Sequence, residues 1–139
     1  MITFETIDVA MPDMDTGSVR NWIAEVAQKY GKRVGELHYY FCSDETLLDI
    51  NRQRLNHDFY TDIITFPLTE CEEVLSSEFC ISTERVADNA VAAGRPFDEE
   101  LHRVVIHGVL HLLGFDDHTD TDTKTMREKE DESLKMVFK

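Results

Sequence analysis

The sequence lacks a surplus of basic residues. Its 139 residues include 14 Lys and Arg against 28 Asp and Glu, which gives a formal net charge of −14. Proteins that coat nucleic acid use surplus Lys and Arg to displace counterions, and polyphosphate and anionic membranes repel an acidic chain. The composition therefore argues against tight, sequence-independent coating of DNA or RNA. Any action on a nucleic acid must take place at a local site.

Long hydrophobic runs, a signal peptide and paired cysteines are also missing. No apolar run approaches the roughly 18 residues that a membrane span requires. The N-terminal residues MITFETIDVAMPD have neither a basic region nor a small-residue cleavage site. Cys42, Cys71 and Cys80 are odd in number and show no CxxC spacing. We therefore expect a cytoplasmic protein with reduced thiols and no membrane association.

The hydrophobic pattern predicts one α/β (α+β) domain over residues 1–139. A hydrophobic content of 42% suits an ordinary globular chain. Strands and helices alternate early and helices dominate late, which favours a small mixed, mostly parallel four-stranded sheet with about five helices packed on it. Gly31 and Gly35 are expected to bracket a turn. The predicted strands cover 1–9, 37–42, 63–66 and 79–82, and the predicted helices cover 19–30, 44–54, 83–93, 98–113 and 119–138.

One predicted helix, 98–113, carries the chemistry. It is mostly apolar and should be largely buried. His107 and His111 interrupt the apolar pattern at a spacing of four, so they stand one turn apart on a single face and can hold one metal ion. After Gly114 the chain offers Asp116, Asp117 and His118 as further ligands.

The residues around the histidines indicate which kind of metal site this is. Two histidines and one further ligand leave positions open for water, as in catalytic rather than structural zinc sites. In HExxH metalloproteases the residue after the first histidine is a glutamate that acts as general base. Gly108 occupies that position here, which argues against peptidase activity by that route.

The string from His107 to His118, HGVLHLLGFDDH, resembles the histidine motif of the YbeY family, metal-dependent endoribonucleases that mature ribosomal RNA in bacteria. Asn51 with the segment TDIITFP at 61–67 resembles a second family motif, and residues 78–82 resemble a third more weakly. The similarity runs from about Leu48 to His118.

The resemblance has two departures. The family's third ligand is a histidine ten positions after the first, and Asp117 stands at that position here. Carboxylate oxygen is an acceptable zinc ligand, so we favour Asp117, with His118 as the alternative. The family's arginine, four positions after the asparagine, is replaced by Leu55.

The neighbouring Arg54 is the candidate for the family's catalytic arginine, with Arg52 as the alternative, and both could instead be solvated. A guanidinium near the metal would suit a phosphate.

The resemblance implies a zinc-dependent, single-strand-specific endoribonuclease in which a metal-activated water attacks the RNA backbone. It further implies maturation of the 16S rRNA 3′ end, ribosome quality control, and partners among the small subunit and its assembly proteins. We expect a monomer with one divalent ion, most simply Zn²⁺. The alternatives are a non-catalytic ribosome-assembly factor with a structural metal, a metallohydrolase of another substrate, and attack by the ribose 2′-hydroxyl.

Overall fold

The computed structural model describes residues 1–68 and 71–138 of the chain. Within these ranges the chain forms four strands and five helices. In chain order they are β1 (Ile2–Thr6), α1 (Thr16–Lys29), β2 (Arg33–Cys42), α2 (Asp44–Leu55), β3 (Ile63–Pro67), β4 (Val74–Ser82), α3 (Thr83–Ala93), α4 (Phe97–Leu112) and α5 (Asp120–Leu134).

The four strands form one mixed sheet in the order β1-β2-β4-β3. β1 and β4 both pair with β2 in parallel, and β3 pairs with β4 in antiparallel orientation. Pro67 ends the edge strand β3, a place where the missing backbone N–H is tolerated. The predicted fold class, a small and mostly parallel sheet carrying five helices, is confirmed.

Two predicted strands were too short because their solvent-facing ends lack a clear hydrophobic pattern. β2 begins at Arg33, not at residue 37, and β4 begins at Val74, not at residue 79. The predicted turn at Gly35 is wrong, since this residue lies within β2 at an irregularity of its pairing with β4. A Cβ at Gly35 would lie 2.4 Å from Ser76 Oγ, so the two strands approach too closely there for a side chain.

The predicted ends of β1 and α5 were too long. β1 stops at Thr6, and Asp8 leaves the strand path to accept a hydrogen bond of 2.8 Å from the Ser43 backbone N–H. α5 begins at Asp120, with Thr119 as its N-cap, and ends at Leu134. Beyond its end, the Phe138 N–H donates a hydrogen bond of 2.8 Å to the Leu134 carbonyl.

The sheet carries an apolar cluster on each face, because successive strand residues point to opposite sides. Tyr39 and Phe79 belong to the larger cluster with residues of α1 and α4, whereas Cys80 packs with Leu47 of α2 in the smaller one.

Helix α4 lies close to the sheet. A Cβ at Gly108 would come within 2.7 Å of Phe79 Cε1 and 3.0 Å of Ile63 Cδ1. Glycine at this position therefore allows the helix that carries His107 to pack against the strands. In the described part of the chain, no helix is both long enough and apolar enough to cross a membrane.

Candidate metal centre

Helix α4 presents His107 and His111 near its C-terminal end, where its surface is partly uncovered. Most of the helix is buried, but the side chains of His107 and His111 are 25% and 41% exposed. The backbone reverses direction at Gly114, whose φ of +104° lies in the region that favours glycine. This turn directs the following loop back along α4 and brings Asp117 to His107.

His107, His111 and Asp117 line one cavity of about 310 Å³, here called the histidine cavity. The Nε2 atom of His107 lies 3.7 Å from Asp117 Oδ2. Within residues 1–68 and 71–138, the lining of this cavity does not include His118. The structure therefore brings together the three residues favoured as ligands and leaves the alternative third ligand outside.

A buried carboxylate holds the other nitrogen of His107. His107 Nδ1 is 2.7 Å from Glu130 Oε2, and Arg103 Nη1 donates to Glu130 Oε1 at 2.8 Å. Glu130 and Arg103 are only 3% and 4% exposed. With Nδ1–H donating to Glu130, Nε2 keeps its lone pair on the side of Asp117, which is the arrangement that carboxylates commonly impose on metal-binding histidines.

The charges of this group shift its pKa values. Burial of the His107 ring lowers its pKa, but the hydrogen bond to Glu130 and the charges of Glu130, Asp62 and Asp117 outweigh that effect and raise it. Burial raises the pKa of Glu130, but its bonds to His107 and Arg103 outweigh it and lower the pKa overall. Each of the two groups therefore favours the charged form of the other.

The donor set suits a divalent cation. Two imidazoles and a carboxylate are typical ligands of catalytic zinc, and two tetrahedral ligands about 2.0–2.1 Å from the ion lie roughly 3.4 Å apart. The 3.7 Å between His107 Nε2 and Asp117 Oδ2 is close to this value. Among the described residues, no three His, Cys, Asp or Glu side chains are already arranged around one point to hold a metal. Closing the site around an ion therefore requires side-chain rearrangement.

His111 is less constrained than His107. Its Nδ1 lies 3.8 Å from Asp116 Oδ1, too far for a hydrogen bond. Because its side chain is more exposed than that of His107, it has more freedom to rotate.

The structure places Arg54 and Arg52 away from the histidines. The Arg54 guanidinium lies 5.4 Å above the ring of Phe66, and Arg52 pairs with Asp58. Within the described chain the lining of the histidine cavity includes neither arginine, whereas Leu55 does line it. The catalytic role of Arg54 stays a prediction, and this placement does not add support to it.

Asn51, the asparagine of the second motif, is buried and fixes the loop beside the cavity. Its Nδ2 donates to the Phe59 carbonyl at 3.0 Å, and its own carbonyl accepts from the His57 N–H at 3.1 Å. His57 and Phe59 stack with ring centroids 5.2 Å apart and line the histidine cavity.

Glu130 belongs to none of the sequence motifs, and sequence reasoning missed it. A signal was present: Met126, Glu130 and Leu134 follow at intervals of four, so Glu130 shares the buried face with two apolar residues. Asp62, which lies in the second motif, lines a second cavity together with His107. Burial raises the pKa of its carboxyl group, against the opposing effect of His107.

The fold and the site thus define an α/β protein with a histidine–carboxylate centre on a buried helix. The family model described as "Endoribonuclease YbeY" matches residues 2–137. The chain belongs to this family.

Known relatives match at full length. A protein of Phocaeicola vulgatus named endoribonuclease YbeY is 46% identical over 137 residues, which cover 99% of each chain. One of the same name from Bacteroides thetaiotaomicron is 46% identical over 97% of this chain and 98% of its own. A solution structure of a Thermotoga maritima protein matches with a TM-score of 0.67 and 30% identity, covering 99% of this chain and 89% of that one.

Proposed function

We propose that the protein is a zinc-dependent, single-strand-specific endoribonuclease. The observation that carries this proposal is the pairing of His107 Nε2 with Asp117 Oδ2 at 3.7 Å, in a cavity that His111 also lines. Relatives that match nearly the whole chain carry the name endoribonuclease, which supports RNA as the substrate class.

His107, His111 and Asp117 would hold the ion. A divalent cation at such a site supplies Lewis acidity, which polarises a phosphoryl oxygen and makes a water a nucleophile near neutral pH. Glu130 keeps the proton of His107 at Nδ1, so that Nε2 can act as a ligand. The carboxylate of Asp117 adds a negative charge that a third histidine would lack, which should strengthen cation binding and make the water less acidic.

The stacked rings of His57 and Phe59 supply a surface beside the centre. Base–aromatic stacking tolerates any sequence and requires unpaired bases. This arrangement supports action on single strands rather than on duplex RNA.

We further propose a cytoplasmic role in maturing the 3′ end of 16S rRNA and in ribosome quality control, with the protein acting as a monomer. A net charge of −14 gives the chain little attraction for phosphate. This supports a role for partners that bring the RNA to the protein. Ribosomal proteins and assembly factors of the small subunit would supply that attraction.

Cleavage of a short oligoribonucleotide by metal-free and zinc-loaded protein tests this function. We expect zinc-dependent cleavage of the single strand and none of the same strand in a duplex. His107→Ala should abolish cleavage, whereas His118→Ala should retain it. Zinc-loaded wild-type protein that leaves single-stranded RNA intact would contradict the proposal.

Leu55 favours a second candidate function. It lines the histidine cavity at the position where the family resemblance places an arginine, so a cation for the phosphate is missing there. A ribosome-assembly factor that uses its metal only structurally would not need this cation. Stoichiometric zinc without any RNA cleavage would support this alternative.

A further inference from the structure

A second cavity opens on the other side of His107. It has a volume of about 560 Å³, lies among α3, α4 and α5, and is here called the rear cavity. His107 and Asp117 line both the rear cavity and the histidine cavity. A molecule bound in the rear cavity is therefore next to the proposed metal ligands.

The wall of the rear cavity includes a buried carboxylate that lacks a hydrogen-bond partner. Glu100 is 6% exposed, and within the described ranges its Oε2 atom has no donor. Arg95 Nη1 lies 3.9 Å away, which partly balances the charge but is too long for a hydrogen bond. A buried acceptor without a donor is costly, so this atom indicates a binding partner that brings a donor.

The position of Glu100 in the first turn of α4 does not by itself provide a hydrogen-bond donor for Oε2. The helix dipole favours a negative charge there, but a favourable potential does not replace a hydrogen bond. The neighbouring Glu99 shares the helix end and does not line the cavity, as far as the described chain shows.

Groups of both charges and an amide complete the wall. Arg95, Arg127 and Asn89 line the rear cavity, beside the carboxylates of Asp62, Asp117 and Glu130. Arg103 also lines it, and its buried Nε atom, like Glu100 Oε2, has no hydrogen-bond partner in the described structure. The wall therefore offers one unsatisfied donor, Arg103 Nε, and one unsatisfied acceptor, Glu100 Oε2, which suits a polar, planar ligand that carries both an acceptor and a donor.

We propose that the rear cavity binds one nucleobase of the RNA strand and that Glu100 accepts a hydrogen bond from the exocyclic amino group of that base. The proposal rests on the proposed ribonuclease function, because it places the base next to the phosphate held near His107 and Asp117. Cytosine, adenine and guanine carry an exocyclic amino group and uracil does not. Where cytosine presents this amino group, uracil presents its O4 carbonyl, which a carboxylate repels, so the site discriminates against uracil.

Cytidine and uridine monophosphates provide a matched pair of probes. Calorimetric titration of the zinc-loaded protein with the 3′ and 5′ isomers of each nucleotide should show tighter binding of cytidine, by about tenfold for at least one isomer. Glu100→Gln should reduce this preference to about twofold or less, because a glutamine amide can donate to uracil O4 as readily as it accepts from cytosine N4. Glu99→Gln is the matched control and should keep the preference.

A second measurement uses only the wild-type protein, so its result does not depend on whether a variant folds. In wild-type protein, cytidine monophosphate should shift the backbone amide resonances of Asn89, Ala92 and Ala93, which flank the rear cavity. Equal binding of the two nucleotides, or shifts confined to residues around the histidine cavity, would overturn the inference.

These binding measurements are separate from cleavage. If single-stranded RNA is cleaved but cytidine shows no preference, only the nucleobase site is wrong. If the preference is present but no RNA is cleaved, the ribonuclease function is wrong and the nucleobase site remains.

Discussion

At the scale of single residues, His107 connects the protein interior to the proposed metal centre. Its Nδ1 is hydrogen-bonded to the buried carboxylate of Glu130, and its Nε2 faces Asp117. The orientation of the ring is therefore fixed before any ion binds. Arg103 holds that carboxylate through Nη1 and also contacts Asp131 through Nη2 at 2.7 Å. His107 is thus held in place by residues that lie outside the family motifs.

The third ligand is tested by comparing two neighbouring substitutions. Asp117→Ala removes a carboxylate that faces His107, so we expect zinc affinity to fall by on the order of 100-fold or more. His118→Ala removes a side chain outside the histidine cavity and should change the affinity by about twofold or less. A competition titration with a chelating dye measures both. A larger loss in the His118 variant would show that histidine, not aspartate, completes the site.

Glu130→Gln tests the positioning of His107. The glutamine is similar in shape but neutral, so Nδ1 loses its charged acceptor and zinc affinity should fall by about 10- to 100-fold. Glu132→Gln is a suitable control, because Glu132 lies exposed on the same helix and pairs with Lys129. Equal zinc affinities in the two variants would contradict a positioning role for Glu130.

Glu130→Gln also tests how the stability of the metal-free protein depends on pH. Glu130 has a lowered pKa, so its contribution is present above its ordinary value of 4.5 and is lost as the pH falls through its folded value. His107 has a raised pKa, so its share is present below its ordinary value of 6.5 and is lost as the pH rises through its folded value.

Wild-type protein should therefore exceed Glu130→Gln in the free energy of unfolding by about 2 kcal/mol between those two values, and by less at pH 3. Urea unfolding at several pH values measures this difference. A difference that stays constant from pH 3 to pH 6 would contradict the ion pair.

At the scale of elements, the close contact of α4 with the sheet depends on Gly108. A Cβ there would be 2.7 Å from Phe79 and 3.0 Å from Ile63, so Gly108→Ala should destabilise the protein by about 1–3 kcal/mol. Gly17→Ala in α1 is the control, because its Cβ would lie 3.6 Å from Asp15 Oδ1, an ordinary contact distance. Helix propensity favours alanine there by up to about 1 kcal/mol. Thermal unfolding compares the two. A stabilised Gly108→Ala variant would show that α4 does not pack tightly against the sheet at this residue.

The elements could be predicted from the sequence where hydrophobic periodicity was strong. The buried helix α4 and the strand β3 were located to within a residue, and the spacing of His107 and His111 placed both on one face. The extra length of β2 was missed because Gly35 resembles a turn residue, and only the pairing with β4 shows that it lies at an irregularity within the strand. Glu130 was missed because the contact with His107 joins residues 23 positions apart, which no local pattern records.

At the scale of the whole molecule, the net charge of −14 limits how RNA can bind. Little attraction for phosphate is available outside a local cationic site, so binding to random RNA at physiological salt should be weaker than about 1 µM. Fluorescence anisotropy with a labelled random oligoribonucleotide measures this affinity. Submicromolar binding would contradict the expectation that partners supply most of the specificity.

We propose that one zinc ion held by His107, His111 and Asp117 makes this chain a ribonuclease. The most direct measurement determines zinc content and cleavage of a short single-stranded RNA on the same samples of wild type and His111→Ala. We predict about one zinc per chain and cleavage for wild type, with both strongly reduced in the variant. Cleavage that persists undiminished in the variant or in metal-free protein would contradict the account.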